Sequence, residues 1–481
     1  MVNNMHEYIE KLKKETNNIN DIIIRKRKIN NKIIYILYNE PLISSASISN
    51  NIIKSIIKMK ILTTDNLINK LEKKIYNFKT IKINGYNQMC EYLNMGFTII
   101  IVENENTLLA IETKANLNRS ISTPHAENTI RGSKDSFIED YQTNIGLIKK
   151  RIRTNKLWIK NIKIGKYTNT NVGIIYIKDI CKEELVSTIE QRLNKISIDG
   201  IINSGTIKNL IEKENKSPFP TTLTTERPEK VASELLEGKI CIIVDNDPYI
   251  LILPAFLNDF IKYNEDYYSK SINATFTRII RSLAFLISLF TPALYIALIT
   301  YNQEMIPTKF LISFSIQRSG VPFPAFIEAF LMMIAFEILR EADLRTPSFT
   351  GSSLSIVGAL ILGDAAVEAG IVSPIMIIVI ALTSISSLLF SEYELTNSLR
   401  YYRIIFMLSS TALGLIGLVL SFLYFLINIC SLKTYGKSYL LPYNPFNYAG
   451  FKDSIIKFTT KNNNKRPNYL SNNQKRGQNE I

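Results

Sequence analysis

Eight charged side chains interrupt an otherwise apolar stretch between residues 319 and 370, six of them acidic and two basic. A charge at the centre of a bilayer costs about 3 kcal/mol or more, so these side chains are expected to face protein or water rather than lipid. An excess of carboxylates in contact with water at membrane depth favours cations over anions. The candidate pore or gate residues are Glu328, Glu337, Arg340, Glu341, Arg345, Asp364, Glu368, Gly358 and Gly363.

The spacing of the carboxylates groups them into pairs. Glu337 and Glu341 are four residues apart and share a helix face, and the same spacing joins Asp364 to Glu368. Two interpretations stay open for each residue: it lines a polar pathway, or it belongs to a buried ion pair that fixes helix packing. For the whole segment we favour the pathway. The small residues over 358–366 either let helices approach closely or line a narrow passage.

The chain contains few of the residues that catalytic or metal-binding sites require. Histidine occurs only as His6 and His125, so neither a histidine-ligated metal centre nor a Ser-His-Asp triad is predicted. His125 and Glu127 form an imaginable acid/base pair, but a loop histidine beside a structural carboxylate is the favoured interpretation. The acidic residues of the 244–250 turn, with Glu226, can bind a cation, yet turn and capping roles are favoured. We expect no enzyme activity, no cofactor and no metal.

The 481 residues carry a net charge of +15, and the segment from Lys433 to the end supplies +7 of it. A basic segment beside a membrane span fits retention in the cytoplasm and contact with anionic lipid headgroups. No recognisable DNA- or RNA-binding motif accompanies the charge, so no nucleic-acid partner is predicted.

The N-terminal half contains short runs rich in β-branched residues and bounded by turn formers, a pattern typical of buried strands. Helical patterns lie between them; over 182–194, apolar residues recur on one face. The fold class predicted is therefore an α/β cytoplasmic N-terminal region in two subdomains, followed by an α-helical polytopic membrane domain and a basic tail. The predicted domains are a flexible N-terminal segment (1–31), α/β subdomain 1 (32–145), α/β subdomain 2 (150–262), a membrane domain (275–435) and a basic cytoplasmic tail (436–481).

The membrane domain is predicted from long uncharged runs, because about 20 apolar residues of helix cross a hydrocarbon core. Basic residues before 282 and after 432 place both flanks in the cytoplasm, which requires an even number of crossings. We predict four, with 350–369 re-entrant; if 350–369 spans instead, another segment must not. The predicted spans are 282–300, 320–340, 371–390 and 404–430.

Six motifs in a fixed order resemble one family: RGSKDSFIED, TERPE, DYY, RSGVPFP, FEILREADLR and SIVGALILGDAAVEAGIVSP. Together they resemble the A subunits of bacterial spore germinant receptors, the GerA family, over about residues 20–450. Three departures are Asp364, where the family often carries Gln, Glu368, which is not typical, and Glu229 with Lys230, which replace a more usual Asp-containing version of the TERP motif. By this resemblance, the candidate coupling motifs include Glu127, Arg131, Glu139, Asp140, Glu226 and Arg227.

The resemblance implies a role in the germination of a dormant spore. The chain would act in the spore inner membrane, with multiple passes and with its N-terminal domain and tail in the cytoplasm. Its partners would be a transporter-like, nutrient-binding B subunit and a lipoprotein C subunit. Family likeness also implies a homo-oligomeric channel, plausibly pentameric, that a germinant opens to monovalent cations. It implies no enzyme activity.

Two other functions stay open. One is a membrane-anchored sensor or scaffold of the receptor, with a ligand site in the N-terminal domain and no conduction. The other is a secondary transporter that binds substrate at helices broken near Pro322–Pro324 and Gly351–Gly363. The few spans and the absence of a visible inverted repeat in the sequence argue against transport. Saturable uptake of a solute would revive it, whereas small-molecule binding without flux would favour the sensor.

Overall fold

The protein consists of two compact units, which are described separately. In this computed structural model, the α/β unit comprises Met1–Glu214, Thr222–Pro254 and Asn463–Ile481, and the helical unit comprises Asn215–Thr221 and Ala255–Asn462. The residues described are 3–15, 21–29, 32–45, 48–57, 67–75, 79–103, 105, 107–114, 127, 131–212, 217–345, 362–459, 463–472 and 475–476.

The α/β unit contains two five-stranded sheets in which every pairing of neighbouring strands is antiparallel. The first has the order β1-β2-β4-β5-β3 and the second β6-β7-β9-β10-β8. The strands of the first sheet are β1 (Ile22–Ile29), β2 (Lys32–Asn39), β3 (Thr80–Ile83), β4 (Phe97–Val102) and β5 (Leu108–Glu112). Those of the second are β6 (Leu157–Ile164), β7 (Thr170–Ile177), β8 (Leu223–Thr225), β9 (Ile240–Val244) and β10 (Ile250–Leu253).

Helices complete this unit. They are α1 (Asn3–Glu15), α2 (Lys54–Ile57), α3 (Leu67–Lys74), α4 (Tyr86–Asn94), α5 (Tyr141–Arg151), α6 (Glu183–Asn194), α7 (Ser204–Glu212) and α8 (Pro228–Glu237). A 3-10 turn (Glu40–Leu42) and a π-helical segment (Ile48–Ile53) follow β2.

Helices cover both faces of the first sheet, which explains why its central strand has no polar face. All six residues of β4 are buried. Successive side chains of a strand point to opposite faces, and Ile100 packs in a cluster with Leu67 and Leu71 of α3, whereas Ile99 packs with Leu12 of α1. The predicted α/β class of the N-terminal half is therefore confirmed, with antiparallel sheets.

The prediction of a flexible segment over 1–31 differs from the structure. Leu12 of α1 is buried, and β1 pairs with β2 along its whole length. The strand was not predicted from the sequence because the basic run Arg25–Lys28 is typical of a polar loop. As β1 lies at the sheet edge, these exposed charges protect the edge from pairing with another chain.

The described residues of the helical unit form five long helical elements. They are α9 (Ser271–Thr300), α10 (Thr308–Arg318), α11 (Ala325–Arg345), α12 (Pro374–Leu388) and α13 (Tyr393–Ser431). Shorter elements are 3-10 turns at Leu257–Phe260, Asn264–Tyr268 and Gln303–Met305, a helical turn over 362–368, the strands β11 (Lys433–Thr434) and β12 (Lys437–Ser438), and α14 (Tyr448–Phe451). By length and composition, α9 and α13 are apolar enough to cross a membrane.

The long element α13 is a hairpin of two arms, 393–413 and 415–431, that reverses at Gly414. Gly414 has φ 60° and ψ −138°, outside the helical region. The ring centroids of Tyr402 and Phe425 are 4.9 Å apart, whereas 23 residues of straight helix would separate them by about 34 Å. The predicted single span over 404–430 is therefore wrong, because the chain turns back inside it.

Contacts between the helices define their directions. Tyr301 at the end of α9 donates to the carbonyl oxygens of Thr411 and Ala412, so α9 and the first arm run the same way. Tyr263, which precedes α9, donates to the carbonyl oxygen of Leu389, which follows α12, so α12 ends where α9 begins and runs opposite to it. Within α11, Glu328 lies beside Ser373 at the start of α12, and α11 and α12 therefore start at the same end of the bundle.

The segment predicted as a basic tail is partly folded into the helical unit. The N–H of Leu257, which precedes α9, donates to the carbonyl oxygen of Tyr439, which follows α13. Asp453 is 8% exposed. Chain entry and exit therefore lie at the same end of the bundle.

We expect Gly414→Ala to destabilise the protein, because a Cβ at this position would lie 2.7 Å from Cβ of Tyr301 and the backbone conformation suits glycine only. Backbone strain of this kind costs about 1–3 kcal/mol before the clash is counted. Thermal unfolding of the detergent-purified chain measures it. Gly320→Ala, where nothing lies within 4 Å, is the matched control; equal melting temperatures for the two variants would contradict the hairpin.

Candidate functional site

Glu328 is fully buried and joins three elements of the helical unit. Its carboxylate accepts hydrogen bonds from the backbone N–H and the hydroxyl of Ser373, at 3.0 and 2.8 Å, and forms an ion pair with Arg318 at 3.2 Å. Because α12 begins at Pro374, the carboxylate also sits where the positive end of a helix dipole stabilises it. This arrangement ties α10, α11 and α12 together.

Glu337 lies between two arginines on different helices. Its oxygens are 2.7 Å from Nε of Arg400 in the first arm of α13 and 3.3 Å from Nε of Arg340. One turn further on, Glu341 pairs with Arg345 at 2.6 Å in an exposed pair. A surface pair of this kind contributes little to stability, whereas the Glu337–Arg400 pair links α11 to α13.

Asp364 and Glu368 are exposed, in the helical turn over 362–368. Gly363 precedes them, and a Cβ there would meet nothing within 4 Å. Gly358 lies outside the described residues. The structure therefore separates the candidate pore or gate residues into three groups: a buried clamp at Glu328, a bridged group at Glu337 and Glu341, and the exposed carboxylates of 362–368.

A groove of about 440 Å³ opens beside the Glu337 group. Its lining is apolar at one end and charged at the other. The lining residues are Phe330, Met333, Ile334, Glu337, Ile338, Glu341, Arg400 and Ile404.

A second buried charge cluster lies at the start of α9, and the sequence did not predict it. The guanidinium of Arg278 is fully buried and bonds to Asp266 at 2.9 Å and to Asp453 at 2.8 Å. Arg281 grips both oxygens of Asp266 at 2.8 and 2.9 Å. Lys457 donates to the carbonyl oxygen of residue 266 at 2.7 Å. The DYY motif, which contains Asp266, is the sequence feature that could have indicated this cluster. No motif or spacing near Asp453 indicates that it belongs to the cluster.

Burial alone would raise the pKa of Asp266, but the hydrogen bonds and charges of Arg281 and Arg278 outweigh it and lower that pKa. Burial is also opposed at Asp453, whose pKa is lowered by the charges of Lys262 and Arg278. Both carboxylates are therefore ionised near neutral pH. The cluster fixes the start of α9 to the segment that follows α13.

In the α/β unit, Arg227 and Glu127 form the centre of the candidate coupling motifs. Arg227 is 5% exposed and donates to the carbonyl oxygens of Glu127 and Ser133. The Glu127 carboxylate accepts from Thr225 and pairs with Lys230 at 2.7 Å. These contacts hold the segment around Glu127 against the segment around Arg227. His125 lies outside the described residues.

The other motif residues have structural contacts too. Asp140 caps α5 by accepting from the N–H of Thr143 at 2.6 Å. The carbonyl oxygen of Glu139 accepts from Asn246, and Arg131 is exposed. Glu226 is buried and accepts from the hydroxyl of Tyr249 at 3.3 Å. Burial, followed by the negative charge of Glu226, raises the pKa of Tyr249. Within the described residues, no group of three or more His, Cys, Asp or Glu side chains is arranged to hold a metal ion.

The fold and the charge clusters define a two-unit protein with an antiparallel α/β unit and an apolar helical unit. The family model described as Bacillus/Clostridium GerA spore germination protein matches residues 10–469. The chain belongs to this family, which is the family of germinant receptor A subunits involved in spore germination.

Three named relatives illustrate the similarity. Spore germination protein KA of Bacillus subtilis is 42% identical over 82% of this chain and 73% of its own length. Spore germination protein B1 of Bacillus subtilis is 37% identical over 77% of each chain. Spore germination protein GerLA of Bacillus cereus is 37% identical over 78% of this chain and 76% of its own. The solved N-terminal domain of the A subunit of the Bacillus megaterium spore germinant receptor GerK3 is 32% identical, covering 53% of this chain and 95% of that domain, with a TM-score of 0.42.

We expect Asp453→Asn to lower the free energy of unfolding by about 3 kcal/mol, because it leaves the buried Arg278 short of a counter-charge. Thermal unfolding of the purified chain measures the loss. Glu304→Gln, an exposed charge removal in the same unit, serves as the control. If both substitutions shift the melting temperature equally, the cluster does not stabilise the unit.

The same cluster predicts a pH dependence. Since the pKa values of Asp266 and Asp453 are lowered by folding, their contribution is fully present above the unfolded pKa of about 3.9 and is lost as pH falls through the folded values. Melting temperatures measured from pH 7 downwards should therefore fall below about pH 4. The slope should be shallower for Asp453→Asn than for the wild type; parallel curves would contradict this prediction.

Arg227→Lys should destabilise the chain by about 1–3 kcal/mol, because an ammonium cannot reproduce the planar set of donors that bonds to the carbonyl oxygens of Glu127 and Ser133. The matched control is Arg153→Lys, at an exposed arginine of the same unit. Thermal unfolding of both full-length variants would decide: a loss no greater than that of the control would remove Arg227 from the set of structural fastenings.

Proposed function

We propose that this protein is the A subunit of a nutrient germinant receptor in the spore inner membrane, where it forms an oligomeric cation channel that a germinant opens. Spore germination is the function named for its relatives KA, B1 and GerLA. Its partners would be a transporter-like B subunit, a lipoprotein C subunit and four further copies of this chain in a pentamer. The permeating ions would be monovalent cations.

The observation that carries the membrane placement is the contrast between the inside and the outside of the helical unit. Glu328, Arg278 and Arg403 are 0–2% exposed. Large apolar side chains such as Ile416, Ile427 and, on α12, Ile378, Ile385 and Leu388 are more than half exposed. Charges inside and apolar groups outside reverse the usual distribution of a water-soluble bundle, and they suit a bundle surrounded by lipid.

The helix directions support a multi-pass topology. Helix α9 and the first arm of α13 run one way, whereas α11, α12 and the second arm run the other way. The described residues alone provide five membrane-crossing segments, which are α9, α11, α12 and the two arms of α13, against the four predicted from sequence for the whole membrane domain. Chain entry and exit lie at the same end of the bundle, which places both flanks in the cytoplasm.

Asp364 and Glu368 are the carboxylates that best suit an ion pathway. They are exposed and make no ion pair with another described residue, whereas Glu328 and Glu337 are engaged with arginines. Their exposure on the single chain leaves them available to water or to a neighbouring subunit. A Cβ at Gly363, beside them, would meet nothing within 4 Å. Carboxylates placed in this way around an axis would favour cations.

One observation favours the alternative of a non-conducting sensor or scaffold. The clamp at Glu328 and the bridge at Glu337 are the kind of contacts that fix helices in place. If all the carboxylates of the unit act in this way, the helical unit only anchors the receptor.

The two functions predict different results for Asp364→Asn combined with Glu368→Gln. In liposomes that contain the purified receptor complex, we expect germinant-triggered K⁺ efflux to fall severalfold, since the pathway loses its attraction for cations. Glu304→Gln, an exposed acid outside 362–368, should leave the efflux unchanged. Wild-type flux in the double variant would remove these residues from the pathway, and absence of flux in the wild type would favour the scaffold.

A further inference from the structure

The arginines around the groove have more hydrogen-bond donors than the described residues satisfy. Nη2 of Arg400 and Nη2 of Arg403 are buried and lack a hydrogen-bond partner among the described residues. Nε of Arg340 is also buried, and it lies 3.3 Å from Glu337 without forming a hydrogen bond. A buried donor without a partner costs about 1–3 kcal/mol, more where the group is charged.

Three guanidinium groups lie near the carboxylate of Glu337. Arg403 is 2% exposed, bonds through Nε to the carbonyl oxygen of Ser288 and lies within electrostatic range of Glu337 and Arg340. Arg400 and Arg340 pair with Glu337 directly, whereas Glu341 pairs with Arg345. The donors left without a partner among the described residues therefore belong to arginines grouped around one carboxylate.

The polarity of the residues that line the groove changes along α11. Glu337 and Glu341 lie at one end, and Phe330 and Ile334 line the other. From residue 330 to residue 341 the helix rises about 16 Å. An occupant that satisfies both ends has a compact anion at one end and an apolar chain at the other.

The charged end lies at the level of a membrane interface. The guanidinium of Arg340 is 5.4 Å from the ring centroid of Tyr393, which is half exposed. Tyrosines of this kind are enriched at the boundary between headgroups and hydrocarbon. Tyr393 begins the first arm of α13, at the same end of the bundle as the Arg278 cluster, so the apolar end of the groove points towards the middle of the bundle.

We propose that this groove binds one anionic phospholipid, with its phosphate at Arg400 and an acyl chain along Ile334 and Phe330. Basic pockets between membrane helices are suited to phosphate headgroups, and arginine matches phosphate with paired donors. The proposal rests on the membrane placement argued above, but not on conduction. The bound lipid would contact both α11 and α13, and it would add to the link that the Glu337–Arg400 ion pair already makes between these helices.

The test measures thermal stability of the full-length protein in detergent with added lipid. Dioleoylphosphatidylglycerol should raise the melting temperature of the wild type more than dioleoylphosphatidylcholine does. In Arg400→Gln the apparent affinity for the anionic lipid should fall about tenfold, whereas Lys309→Gln, an exposed charge removal on α10, should keep it. Native mass spectrometry of the wild type should show one retained phosphatidylglycerol. This measurement tests the proposal even if Arg400→Gln fails to fold.

Three further measurements distinguish a lipid headgroup from a free anion. Dihexanoylphosphatidylglycerol should protect less than the long-chain lipid, because it cannot fill the apolar end. Inorganic phosphate that protects as well as the lipid would overturn the proposal in favour of a free anion. Equal protection by the two dioleoyl lipids, with none retained, would overturn it and leave the arginines to a neighbouring subunit. Co-flotation with vesicles of either lipid keeps the membrane placement intact in those cases, whereas no flotation with either would overturn both.

Discussion

The cost of burying charge decides which helices of the helical unit become neighbours. A guanidinium or carboxylate removed from water is tolerated only beside a counter-charge or a set of hydrogen bonds. Arg278 finds Asp453 175 residues further along the chain, and Glu328 finds Ser373 45 residues further. Arg403 reaches back to the carbonyl oxygen of Ser288. Apolar packing holds the helices together without choosing among many arrangements, whereas each of these contacts is satisfied in only one.

Much of the α/β unit could be predicted from the sequence, because a strand buried on both faces leaves a local pattern. The short β-branched runs of the N-terminal half, which include the sequences of β2, β4 and β9, are such patterns. Their order in the sheets could not be predicted, since pairing between distant strands leaves no trace in a single window. The strand β1 was missed because its exposed edge carries Arg25–Lys28, and a basic run resembles a loop.

In the helical unit the sequence predicted apolar length but not the path of the chain. The run from Ile404 to Leu432 contains no charge, and it has the same composition whether the helix is straight or folded back at Gly414. The types of the site residues were predictable as well, but their partners were not. Glu328 pairs with Arg318, on a different helix, and with Ser373, so no helical spacing rule joins them.

The exposed carboxylates of the turn over 362–368 and the arginine cluster lie at opposite ends of the helical unit, and this separation matters for any ion pathway. A Cβ at Gly370 would lie 3.2 Å from the carbonyl oxygen of Gly320, which places the turn over 362–370 at the end of the bundle where Glu328 lies. The arginine cluster lies near Glu341, thirteen residues from Glu328 along α11, or about 20 Å. Salt screens exposed charges over about 8–10 Å. The exposed carboxylates at one end of the bundle are therefore not neutralised by the arginines at the other end, so a cation pathway at the first and an anion site at the second, both proposed above, are electrostatically compatible.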